Sequence, residues 1–118
     1  MAILTLPMRT TAPAFSYAID LDRRSYQLAF QWNERAGVWL LDIATGAGVA
    51  LLRGLPLVVN FPLLFSYRSR VDLPAGELVV VDLEGAEGNP GRDNMGQRFE
   101  LLYYDAEAYA ALVAGTGG

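Results

Sequence analysis

Large apolar side chains recur at every second position in the first third of the chain, the repeat of a β-strand, with little of the 3.6-residue repeat of a helix. They run Phe15, Tyr17, Ile19, Leu21, with Ser16, Ala18 and Asp20 between them, and resume as Tyr26, Leu28, Phe30, Trp32, separated by Gln27, Ala29 and Gln31. Two half-buried strands are predicted. Folding them back about Asp22-Arg23-Arg24-Ser25 sets Leu21 opposite Tyr26, Ile19 opposite Leu28, Tyr17 opposite Phe30 and Phe15 opposite Trp32, so each large residue meets another. After the polar link Asn33-Glu34-Arg35-Ala36-Gly37, the run Val38 to Ala44 pairs back in turn, with Trp39 near Trp32 and Leu41 near Phe30. The result is a meander. Val38 and Leu40 add a second apolar face, expected to be covered as well.

Thr45-Gly46-Ala47-Gly48 has the composition of a turn, and Val49 to Leu52 reads as a short fourth strand. Gly54 to Arg70 breaks the alternation, because Pro56 and Pro62 punctuate a segment whose apolar residues do not alternate. A short helix from Asn60 through Arg68 is expected there, with Pro62 near its first turn. Glu77 to Leu83 and Arg98 to Tyr104 are rich in β-formers and read as strands, joined by a glycine-rich loop from Glu84 to Gly96. The expected fold is mainly β: a small antiparallel meander, barrel-like, with one short helix. Residues 1–105 form one domain, and 106–118 form a small-residue tail with a helical turn around Tyr109 and Leu112.

Composition narrows the chemistry. The 118 residues suffice for one small domain, and 53% apolar against 19% charged residues is enough to build a core. Cysteine and histidine are both absent. That removes disulfides, thiolate metal sites, cysteine nucleophiles and the commonest general base. All cationic residues are arginine, so lysine Schiff-base chemistry is excluded too. A formal charge of −4 argues against a phosphate-backbone binder, and no nucleic-acid partner is expected. The longest uncharged stretch, Gly54 to Tyr67, contains two prolines and falls short of the ~20 residues that a membrane span needs. Met1 to Pro7 lacks the basic region of an export signal, so synthesis in the cytoplasm is expected.

What remains for catalysis is carboxylates, hydroxyls and arginines. Glu84, Glu87, Asp93 and Asn94 share one loop and could supply oxygen ligands, but their spacing does not match a calcium loop, and a solvated surface loop is the expected reading. Asp20 and Asp22 flank a turn, where aspartate is common for local hydrogen bonding. Gly46-Ala47-Gly48 lacks the third glycine of a nucleotide fingerprint. No catalytic residue, metal or cofactor is predicted. Tyr67-Arg68-Ser69-Arg70 and Arg23-Arg24 place forked donors beside an aromatic ring and at a turn, suited either to carboxylates on a partner protein or simply to keeping a small domain soluble. Six tyrosines, five phenylalanines and two tryptophans exceed what a domain of this length hides easily, which favours an assembly component.

The order of these parts resembles the small baseplate plug proteins of contractile-tailed phages, a family typified by the plug of a cyanophage baseplate. The resemblance is carried by Tyr26-Gln27-Leu28-Ala29-Phe30-Gln31-Trp32-Asn33, then Gly37-Val38-Trp39-Leu40-Leu41-Asp42-Ile43, Arg53-Gly54-Leu55-Pro56-Leu57-Val58, and Leu63-Leu64-Phe65-Ser66-Tyr67-Arg68. Gly76-Glu77-Leu78-Val79-Val80-Val81-Asp82 and Asp93-Asn94-Met95-Gly96 complete it. It covers nearly all of residues 3–104 and rests on ordered succession. It implies a non-enzymatic structural protein of the virion, near the hub where tail tube, sheath initiator and wedge proteins meet, present in several copies or as a homo-oligomer. Trp39, Asp42, Gly54, Pro56, Tyr67, Arg68, Asp93, Asn94 and Gly96 match the family pattern and are candidates for fold and interface. The alternative from the residues themselves is a small carbohydrate- or peptide-binding β-domain that stacks a ligand on Trp32 or Trp39; a carboxylate hydrolase would need two convergent acids that the sequence does not offer.

Overall fold

A computed structural model describes residues 3–9, 12–59, 62–67, 72–83, 95 and 98–116. It contains seven strands, β1 (Ile3–Leu6), β2 (Ala14–Leu21), β3 (Arg24–Asn33), β4 (Val38–Thr45), β5 (Ala50–Pro56), β6 (Glu77–Asp82) and β7 (Phe99–Tyr104), a 3₁₀ turn at Phe65–Tyr67, and one helix, α1 (Ala106–Thr116). β2-β3-β4-β5 form one antiparallel sheet and β1-β7-β6 a second. The chain is mainly β, as its alternation predicts, with no closed barrel among the described residues.

Alternation decides which face is buried. Tyr26, Leu28 and Phe30 of β3 and Trp39, Leu41 and Ile43 of β4 point inward, and so do Phe99, Leu101 and Tyr103 of β7. All belong to one continuous core, to which both sheets contribute. In the connection from β5 to β6, the described residues 57–59 and 62–64 touch both sheets. Leu57 N–H donates to Trp39 O (2.9 Å), Val59 bridges Val80, and Leu63 N–H donates to Leu78 O (2.9 Å). Glu77, fully buried, braces this crossing: its Oε1 accepts from Leu64 N–H at 2.6 Å and Leu78 N–H at 2.9 Å. At the far end of β6 and β7 the Arg98 fork grips Asp82, with Nε on Oδ1 at 3.1 Å and Nη2 on Oδ2 at 2.9 Å.

The structure corrects three expectations. The β2–β3 register is offset by two positions from the one expected: Phe15 faces Phe30, Tyr17 faces Leu28 and Ile19 faces Tyr26. Only Asp22 and Arg23 form the turn, both left-handed with φ of 52° and 68°. Such a pair matches the twist of a two-residue hairpin better than a wider loop does. An even offset leaves every side chain on its predicted face, so the pattern alone could not detect it. The expected register of β3 with β4 stands, Trp32 facing Trp39 and Phe30 facing Leu41.

Second, β5 runs on to Pro56 instead of ending at Leu52, because irregularities in its pairing with β4 absorb Arg53 and Gly54 without ending the strand. Third, the described part of the expected helix at 60–68 holds only a turn and the 3₁₀ segment, since Leu63 is tied to the β6 edge. The helix of the fold is α1, in the region expected as a tail; Ala108 N–H donates to the Asp105 carboxylate (2.8 Å), an N-terminal cap. β1, which the short Ile3-Leu4-Thr5-Leu6 run does not announce, pairs with β7 and puts Leu6 into the core.

Two substitutions test this account. Arg23→Gly relieves a strained left-handed arginine and should raise stability by about 0.5–1 kcal/mol in urea unfolding, with unchanged circular dichroism. Gly76→Ala should be severely destabilising, by about 3 kcal/mol or more on overpacking grounds, because its Cβ would lie 1.9 Å from Tyr104 O and 2.7 Å from the Tyr103 ring.

Candidate assembly interface

Three of the residues singled out in the sequence meet at the irregularity between β4 and β5. Leu41 faces Leu55 and Ile43 faces Leu52, so Asp42 alone stands against Arg53 and Gly54. Gly54 is left-handed at φ 71°, and its N–H donates to Asp42 Oδ1 at 2.8 Å. Asp42 is therefore held in place by the extra residue it stabilises. Pro56 closes the strand opposite Leu40. This trio shapes the β5 edge and supplies no converging chemistry.

Trp39 is fully buried, with ring centroids 5.7 Å from Trp32 and 5.8 Å from Phe15. Trp32 is half-buried and donates its indole N–H to Glu34 Oε2 at 2.7 Å. Tyr67 ends the 3₁₀ turn, partly buried against the core. Arg68, Asp93, Asn94 and Gly96 lie outside the described residues, as do Glu84, Glu87 and Arg70. Among the described residues no group of three acidic side chains is placed to hold a metal ion, and no helix is long and apolar enough to cross a membrane.

The sheet edges and exposed apolar side chains offer more. β2 and β5 flank one sheet, β1 and β6 the other. The β6 edge is partly occupied by Val59 and Leu63, and β5 is irregular. β1 and β2 are regular along their pairing and have no strand outside them among the described residues. Ile3 (53% exposed), Leu4, Phe65 (60%), Leu83, Leu112 and Val113 lie on the surface. Sequence alternation missed most of these, because an exposed leucine in a short strand or a helix reads like a core residue. On the outer face of the four-stranded sheet, Ala14, Ser16, Ala29, Gln31 and Asp42 help to line a shallow depression of ≈ 350 Å³.

Two phenols complete the electrostatic picture. The Tyr103 hydroxyl donates to Asp22 Oδ2 and accepts from Gly76 N–H at 2.8 Å. Burial, reinforced by the Asp22 hydrogen bond, pushes its pKa well above the usual tyrosine value. The Tyr17 hydroxyl is buried with no hydrogen-bond partner among the described residues, and burial raises its pKa more than nearby Arg9 lowers it.

The family described as cyanophage baseplate Pam3 plug gp18 matches residues 3–107 of the chain. No curated protein matches the sequence.

The two tyrosines set an alkaline limit. Both have native pKa values raised above 10.0, the ordinary value at which they ionise in the unfolded chain. Below that pH both states hold the protons and the contribution is intact; above it the unfolded chain releases protons that the native state keeps, so stability falls. Urea midpoints measured from pH 8 to 11 should drop above about pH 10. Tyr17→Phe should flatten the drop and be neutral or stabilising by about 1 kcal/mol at pH 7, since it deletes an unsatisfied hydroxyl.

Proposed function

Because the chain belongs to the cyanophage baseplate plug family, we propose that it works without catalysis, as a small rigid block wedged among hub, tail tube, sheath initiator and wedge proteins in the virion baseplate. Membership makes it a structural protein of the phage tail baseplate. The observation that carries the finer reading is the pair of open strand edges on a well-packed core. A core that holds Trp39, Phe30 and Tyr103 fully or almost fully buried supplies stiffness. Outward N–H and C=O groups along β1 and β2, which meet no further strand among the described residues, supply attachment for the extended segments of neighbours, with Ile3 and Leu4 exposed beside them.

The glycan- or peptide-stacking alternative gains nothing from the tryptophans. Trp39 has no exposed face, and Trp32 is half-covered and hydrogen-bonded to Glu34.

Co-production with the tube, hub, sheath-initiator and wedge proteins of the same phage tests the proposal. A complex that survives size-exclusion chromatography with at least one of them is expected, and cryo-electron microscopy of the particle should show density for the chain in the baseplate. No complex with any of the four, together with a baseplate that lacks this density, would reject the reading.

A further inference from the structure

We propose that the outer edge of β2 pairs with β2 of a second copy of this chain, antiparallel and about a two-fold axis at Tyr17. The inference rests on the assembly reading above and names one of its contacts.

The hydrogen-bonding phase of β2 comes first. A two-residue turn makes Leu21 and Arg24 the first bonded pair of the hairpin, so Leu21, Ile19, Tyr17 and Phe15 bond inward to β3. The same phase continues beyond the strand, where Trp32 N–H donates to Pro13 O at 2.8 Å. Ala14, Ser16, Ala18 and Asp20 therefore turn their N–H and C=O groups outward. No strand among the described residues pairs with that side.

Edges this long are normally blunted by lysine, proline, a bulge or a covering segment. β5 is irregular and β6 is partly covered, but the eight residues of β2 carry no such device, and Asp20 near one end is the strand's single charge. An edge with that pattern fits an extended strand.

The sequence of the edge selects its own copy. For antiparallel self-pairing, outward residues must face outward residues, and the register that pairs all four sets Ser16 against Ala18 of the second copy and Ala14 against Asp20. On the outer face, small side chains meet small ones. The two Asp20 carboxylates fall at opposite ends of the ladder, where they do not repel. On the inner face Phe15 meets Ile19, and Tyr17 meets Tyr17, the three residues of β2 left half-buried in one copy.

Tyr17 lies at the proposed axis, with the hydroxyl already covered inside its own copy. Its hydroxyl is the buried side-chain polar atom with no hydrogen-bond partner among the described residues. At the axis the two phenols lie side by side as a non-hydrogen-bonded pair, the closer of the two antiparallel spacings.

The chain has no cysteine, which makes cross-linking clean. In the Ser16→Cys/Ala18→Cys double variant the two thiols of facing copies sit on residues about 5.5 Å apart at Cα, within disulfide range. Mild oxidation should convert the double variant to a covalent dimer, with either single variant lagging far behind. In sedimentation the wild type should dimerise with concentration. Ser16→Pro removes an outward N–H and no bond to β3, and should weaken the dimer by about tenfold or more with unchanged circular dichroism; Ala18→Lys gives a second route to the same loss.

A wild type that stays monomeric, a dimer indifferent to both substitutions, or cysteines that link to a different baseplate protein in the particle would overturn the pairing. A monomer that still enters the complex with hub or tube proteins would overturn the pairing alone. Failure to enter any complex would count against the assembly reading instead.

Discussion

A hydroxyl taken wholly out of water must find partners, and Tyr103 meets that demand by tying three parts of the molecule together. Its ring lies in the core on β7, and its hydroxyl donates to Asp22 in the β2–β3 turn and accepts from the Gly76 amide at the start of β6. Asp22 also accepts from Ala106 N–H, at 3.2 Å to Oδ2, so the same carboxylate anchors the first residue of α1. The left-handed turn that brings Asp22 there costs strain at Arg23. Gly76 must be glycine because Tyr104 O and the phenol ring occupy the space a side chain would need. One buried oxygen thus links the two sheets and, through Asp22, the helix.

Much of this was legible in the chain, and the reasons it was not complete are physical. Period-two alternation placed Tyr26, Leu28, Phe30, Trp39 and Leu41 correctly indoors, because burial is decided face by face. Register is a different quantity. The offset between Phe15 facing Phe30 and Phe15 facing Trp32 is even, and only the turn chemistry of Asp22-Arg23 separates the two; arginine in a left-handed turn is not a pairing a sequence advertises. Asp42 and Gly54 stood out by resemblance, yet their link runs across two strands, from a carboxylate to an amide twelve positions on. Ile3 to Leu6 is too short for any periodicity to show, and its strand exists because β7 offers it an edge. Asp93, Asn94 and Gly96, also matched to the family pattern, lie outside the described residues.

The four sheet edges are treated unequally, and that inequality bears on how the protein sits among others. The Asp42–Gly54 irregularity distorts β5, and the crossing segment covers part of β6 under the grip of Glu77. Both devices discourage strand addition where it would be unwanted. β1 and β2 are left regular. A structural protein of a phage baseplate must join specific neighbours without joining everything, and blunting two edges while leaving two without a further strand among the described residues gives contact a direction.

β1 and its partner are the first and last strands of the sequence, with Ile3 against Tyr104. The ribosome therefore releases β1 long before β7 exists. The meander of β2 to β5 is local and can close early, but the second sheet must wait for almost the entire chain. During translation the Ile3-Leu4-Thr5-Leu6 ribbon has no native mate, and its leucines are available to chaperones or to other nascent chains. Closing the second sheet is therefore a late step, and the first strand made is among the last to be paired.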